Sequence, residues 1–170
     1  VSGSADVLVD GYERVREVVH EAVDGLDEAG LGFRVDPGAN SIAWLVWHLT
    51  RVQDDHIAEV AGLEQVWTAH GWYERFGLPI DRRATGYGDS ADAVGLVQAS
   101  AELLTGYYDA VHEQTLRYVR DLRDEDLSRV VDRRYRPPVT LGVRLVSVIS
   151  DDLQHAGQAA YLRGVILRTR

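Results

Sequence analysis

The chain has 170 residues, 45% of them hydrophobic, and carries 18 basic against 27 acidic side chains, a net charge of −9 with histidines neutral. That length suits one domain with its own core, and the acidic balance repels phosphate backbones and anionic membrane surfaces, so neither nucleic acid nor a membrane is an expected partner. Cysteine is absent, which excludes disulfides, thiolate-ligated zinc and a nucleophilic thiol supplied by the protein.

The opening residues, VSGSADVLVDGYERV, lack the basic and apolar regions of a secretory signal. No apolar run reaches membrane-spanning length, and a cytoplasmic protein is expected. Val7, Leu8, Tyr12, Val15, Val19, Ala22 and Val23 recur at helical spacing and predict a first helix over about 5–26, capped by Ser4. The turn-rich LGFRVDPGAN follows. A second helix, SIAWLVWHLTRVQDDHIAEVAG, is capped by Asn40 or Ser41 and ended by Gly62.

From 63 to about 95 the pattern breaks up, and at most one short helix fits. A stretch of that length more often forms a lid or binding loop. A third helix runs from 93 or 96 to 122, with Leu103, Leu104, Tyr107, Tyr108, Val111, Leu116 and Val119 in its apolar set. The charged connection over 124–139 includes RVVDRRY, a candidate short extended piece. Thr140 then caps a fourth helix that continues to about 167. These elements predict a single all-α domain over 1–170, a four-helix bundle with a long loop between helices 2 and 3.

Two of the apolar helices carry polar residues where a core is expected. In the last helix SDDLQHAGQ interrupts an apolar run, and Asp151 and His155 lie about 40° apart on one face, one turn from each other. Asp152 points elsewhere. In the second helix His48 follows two tryptophans and precedes a leucine. One histidine facing a carboxylate–x–x–x–histidine is a donor set that bundle cores use for metals. Neutral imidazoles with a carboxylate suit a borderline divalent ion, and three protein ligands leave positions open for chemistry. The ordinary alternative is a hydrogen-bonded core histidine with a local Asp151–His155 ion pair.

The remaining histidines carry weaker signals. His20 and His112 each precede a glutamate, as in a zinc-protease helix, but the second histidine is missing and both are expected to face solvent. Asp55 and His56 lie two turns beyond His48 and read as helix polarity or as groups near the site. No nucleophile elbow and no phosphate-cradling glycine loop occurs.

The stretches NSIAWLVWHLTRVQDDH, VWTAHGWYERFGLP with TGYGDS, and SDDLQHAGQAAYLRG resemble the DinB-like metalloenzymes. Within them the chain is most similar to the mycothiol S-transferases, relatives of mycothiol-dependent maleylpyruvate isomerase. The resemblance implies a four-helix bundle that binds a divalent metal through His48, Asp151 and His155. Many relatives have histidine where this chain has Asp151, a change that favours zinc or nickel.

The resemblance also implies a thiol S-transferase with a role in detoxification. A small thiol, mycothiol, would be held by the metal as a thiolate and would attack an electrophilic small molecule, which fits the missing cysteine. Asp55, by its helical phase, is the expected nearby base. Trp72, Arg75, Gln158 and Arg163 are expected to bind the hydroxyl-rich thiol, and a homodimer is the expected assembly. Two other readings stand beside this one. One is a hydrolase or isomerase using metal-bound water; the other is a non-catalytic stress-response bundle whose metal only staples helices.

Overall fold

A computed structural model describes residues 3–169, so the ends of the expected 1–170 domain lie outside the described residues. The first long helix, α1 (Ser4–Val23), starts at Ser4, the residue expected to cap it. Gly3 precedes it, and Asp6 reaches back to accept from the Gly3 N–H at 3.2 Å. After the single turn α2 (Glu28–Leu31) comes α3 (Ile42–Ala61). Ser41 Oγ accepts from Trp44 N at 3.1 Å to begin α3, and Gly62 ends it in the left-handed region at φ 68°.

The segment expected to hold at most one short helix holds three: α4 (Val66–Ala69), α5 (Trp72–Phe76) and α6 (Ala91–Gly95). The third long helix, α7 (Ala101–Arg120), begins later than the periodicity suggests. Leu96 N bonds back to Ala93 O and closes α6, and Ser100 Oγ then accepts from Leu103 N at 3.3 Å to restart the helix. A 3₁₀ turn (Asp124–Ser128) leads to β1 (Val130–Asp132), paired antiparallel with β2 (Val139–Thr140). β1 is the extended piece read in RVVDRRY, and the hairpin's second strand lies beyond it. That second strand feeds directly into α8 (Leu141–Thr169).

α8 packs against α1 and α3, and α7 packs against the same two helices, so α1 and α3 sit diagonally across the bundle. The buried apolar residues form two clusters, one at each end. Leu8, Ile57, Val119 and Leu145 share one cluster, while Val19, Leu45, Leu104 and Leu162 share the other. Hence α1 and α8 run one way, and α3 and α7 the other. Between the clusters lies a polar layer. Gln53 Nε2 donates to Thr115 Oγ1 at 2.8 Å within it, and His48 on α3 and Asp152 on α8 are further buried polar residues.

The α3–α7 crossover is fastened to the bundle by buried polar groups. Asp54, 1% exposed, accepts from the backbone N–H of Val66 and of Trp67 and from Tyr107 OH, each at 2.8 Å. Arg51, fully buried beside it, donates to Ala84 O at 3.0 Å and to Gln65 Oε1 at 2.9 Å. Buried charges persist where partners saturate them, and here the partners are the connection itself. Among the described residues no helix is long and apolar enough to cross a membrane.

Candidate metal centre

His48 on α3 and Asp151 and His155 on α8 converge. One ligand atom from each lies within 4.8 Å of the other two. The imidazole rings of His48 and His155 meet edge to face with centroids 4.7 Å apart. His48 is 6% exposed and its ring stacks on Trp44, one turn earlier on α3, at 4.5 Å and 14°.

Both rings are oriented by backbone carbonyls. His48 Nδ1 donates to Thr85 O at 2.5 Å, and His155 Nδ1 donates to Asp151 O at 2.8 Å. A carbonyl only accepts, so in each neutral ring Nδ1 carries the proton and Nε2 keeps its lone pair. Metal-bound histidines are commonly held this way. Asp151 Oδ2 is buried and has no hydrogen-bond partner; His155 Nδ1 is 3.4 Å away, but its proton is committed to the carbonyl. Two free imidazole lone pairs and an orphaned carboxylate oxygen therefore share one small space. Those are the donors a divalent cation requires.

The electrostatics suit that use at His48 and Asp151, while His155 is drawn toward its protonated form. Pairing with His155 holds the Asp151 carboxyl below its usual range, and the same pairing raises His155. Burial lowers His48, against the opposing pull of the Thr85 carbonyl. His48 is thus kept neutral and Asp151 ionised, the states in which each binds metal.

The connection ahead of α6, which carries TGYGDS, closes one wall of the site. Gly86 sits at φ +88°, and a Cβ there would lie 2.7 Å from His48 Nδ1 and 3.0 Å from Trp47 Cζ3. Only glycine lets this backbone approach so near. Asp89 then accepts from Trp44 Nε1 at 3.0 Å, tying the strap to the ring that backs His48. Beside Asp151 opens a cleft of about 590 Å³, whose walls include His48, Asp55, His56, Thr85, Tyr87 and Arg144.

The other residues singled out in the sequence fall in different places. Asp55 lines the cleft, with Oδ1 accepting from Gln65 Nε2 at 2.7 Å. His56 lines it too, its Nδ1 buried and without a hydrogen bond. Trp72 packs on Tyr107 and under the Arg75 guanidinium, 4.6 Å from its ring; neither Trp72 nor Arg75 lines the cleft. Arg163 donates to the Asp24 carbonyl at the end of α1, and Gln158 is exposed one turn beyond His155. The structure therefore brings His48, Asp151 and Asp55 to one cleft, sets His155 against His48 and Asp151 beside it, and leaves the other four outside it.

His112 corrects an expectation. It is 6% exposed, not solvent-facing, and pairs with Glu13 at 3.3 Å, while its neighbour Tyr108 stacks on it. His20 sits half-buried against Asp109 at 2.8 Å. Sequence reasoning missed Arg134, Arg144 and Tyr135 on the cleft wall. Arg144 was detectable: it lies seven residues before Asp151, which places both on one face of α8.

Comparison with known proteins supports the same architecture. The DinB superfamily model matches residues 12–159. A solved structure described as the conserved protein of locus from Enterococcus faecalis is similar at a TM-score of 0.90 and 29% identity, over 98% of this chain and 99% of that one. No curated protein matches the sequence.

Proposed function

The chain belongs to the DinB superfamily, and we propose that it is a metal-dependent S-transferase that activates a small thiol for attack on an electrophile. The observation that carries the reading is the donor set: two imidazoles turned by backbone carbonyls toward an orphaned carboxylate oxygen, opening onto a cleft. A divalent cation, zinc first among the candidates, would supply there the lowered pKa of a coordinated thiol. The protein's own part is to hold that arrangement. Thr85 and the Trp44 ring fix His48, the helical turn from Asp151 to His155 fixes the other two ligands, and the strap through Gly86 shuts out water from one side.

Because the chain has no cysteine, any sulfur nucleophile must arrive with a co-substrate. Asp55 lines the cleft with one carboxylate oxygen held by Gln65, and in this reading it would accept the proton that the thiol gives up. Mycothiol is the first thiol to test, on the strength of the motif resemblance.

Metal analysis of the purified protein is expected to give one divalent ion per chain. His48→Ala, Asp151→Asn and His155→Ala should each lose it. Cobalt-substituted protein should develop a sulfur-to-metal absorption band on adding the thiol, and conjugation of an electrophile should require both metal and thiol. Undiminished metal content in all three variants would overturn the centre. Turnover that proceeds without added thiol would replace this reading with the hydrolytic one.

A further inference from the structure

The cleft beside the metal donors has a cationic end that the proposed chemistry does not use. Arg144 projects from α8 into it, two turns before Asp151 and on the same face. Seven residues of helix separate the two by about 10 Å along the axis. The Arg144 side chain is 14% exposed, and its Nε is buried without a hydrogen-bond partner. Arg134, from the loop joining β1 to β2, reaches the same end.

The two guanidinium groups are drawn together by one carboxylate. Asp132, 6% exposed, accepts from Arg134 Nη2 at 2.7 Å and from Arg134 Nε at 3.0 Å, and its Oδ2 also accepts from Arg144 Nη2 at 3.2 Å. The arginine hydrogen bonds pull the Asp132 carboxyl down to about 2, so it stays ionised across the working range. One negative charge thus faces two positive ones. Other acids stand further along the cleft or beside it: Asp55, bonded to Gln65, Asp151 among the candidate metal donors, and Glu59, 4.0 Å from His56 Nδ1. Arg134 and Arg144 together carry more N–H donors than Asp132 accepts, so donors remain at this end of the cleft.

We propose that Arg144 and Arg134, converging on Asp132 at the end of the cleft, bind the carboxylate of a small organic acid whose apolar body extends toward the metal donors. Val52, Val148, Tyr87 and Tyr135 line the intervening walls and offer the apolar and aromatic surface that such a body needs. The N–H groups that Asp132 leaves over can meet a carboxylate in two-point contact, and with Asp55 and Asp151 on the same cleft a monoanion suits the niche better than a phosphate dianion. The assignment names the substrate class of the S-transferase reading and rests on it for the direction of the acid's reactive end. The anion contact itself does not depend on the metal.

The test is direct binding to metal-free protein, by calorimetry or ligand-observed magnetic resonance, with cinnamate, cinnamamide and phenyl phosphate as probes. Cinnamate should bind at least tenfold more tightly than its neutral amide and more tightly than phenyl phosphate. Arg144→Gln and the exposed Arg134→Gln should each weaken cinnamate at least fivefold while leaving metal content and cinnamamide binding unchanged. Arg134→Gln keeps the test decisive if Arg144→Gln folds poorly, since the Arg134 side chain is 79% exposed. Equal binding of acid and amide, tighter binding of phenyl phosphate, or no effect of Arg134→Gln in folded protein would overturn the proposal. Loss of the metal centre with cinnamate binding intact would instead overturn the transferase reading and leave the anion site standing.

Discussion

Replacing Asp152 with asparagine is expected to stabilise the metal-free protein at neutral pH and to leave the titration-dependent part of its stability unchanged in acid. Asp152 is fully buried, and neither carboxylate oxygen has a hydrogen-bond partner. Burial pushes its pKa well above the carboxylate range, and the charge of Asp151 adds to the effect. The sign follows from linkage. The unfolded chain gives up this proton near pH 3.9, while the folded one keeps it. The contribution to stability is therefore whole below about pH 4 and is lost as pH rises toward the folded pKa, at about 1.4 kcal/mol per pH unit. Asparagine has the same shape and does not titrate, so it removes the slope; any cost of burying its amide is the same at every pH. Urea unfolding of wild type and Asp152→Asn in the presence of chelator, from about pH 3 to pH 8, should give two curves that diverge upward from pH 4. Parallel curves would refute the reasoning and show that Asp152 is ionised in the fold. The consequence for the site is that Asp151 alone brings negative charge to this turn of α8.

Other outcomes follow from the same contacts. Gly86→Ala places a Cβ 2.7 Å from His48 Nδ1 at φ +88°, so it should cost about 1–3 kcal/mol in Tm-derived stability and weaken metal binding together. Metal titration should change tryptophan fluorescence, because Trp44 stacks on His48 and lies 6.4 Å from the His155 ring; Trp44→Phe should abolish most of the change. Apparent metal affinity should fall as pH falls, with His155 the first ligand protonated because Asp151 raises its pKa; a chelating-dye competition series across pH reads this, and a flat profile would contradict it. Asp54→Ala strips three donors and Arg51 of their acceptor and should destabilise by about 3–5 kcal/mol in denaturant unfolding.

The all-helical fold was legible because long helices repeat one signal many times. Ser41 and Gly62 mark boundaries through a side-chain cap and a left-handed cap that act within a few residues. The connection between α3 and α7 was not legible. Its short helices are held by Asp54 and Arg51, whose partners lie 12 to 56 positions away in sequence, and no local pattern encodes such bonds. The apolar pattern of α8 also overstates its buried face. Val143, Val146 and Leu153 fit the helical spacing yet are 54%, 58% and 39% exposed. Hydrophobic spacing says which residues share a face, and only packing decides how wide that face is.

The candidate metal donors were legible for a different reason: a helix that buries charge must neutralise it, so polar residues inside apolar helices advertise a partner. SDDLQHAGQ contains two such residues with opposite fates. Asp151 lies beside His155 and His48 and is drawn toward its ionised form, whereas Asp152, one position and about 100° further round, is fully buried without a hydrogen-bond partner and is pushed toward its neutral form. Helical phase alone separates them. The cleft's cationic end resisted the same logic because its charge arrives from two elements. Arg144 is in phase with Asp151, but Arg134 comes from a hairpin whose position no periodicity describes, and Asp132 joins them only once β1 and β2 have paired. A site on one helix can be read from spacing; a site shared between a helix and a hairpin needs the fold first.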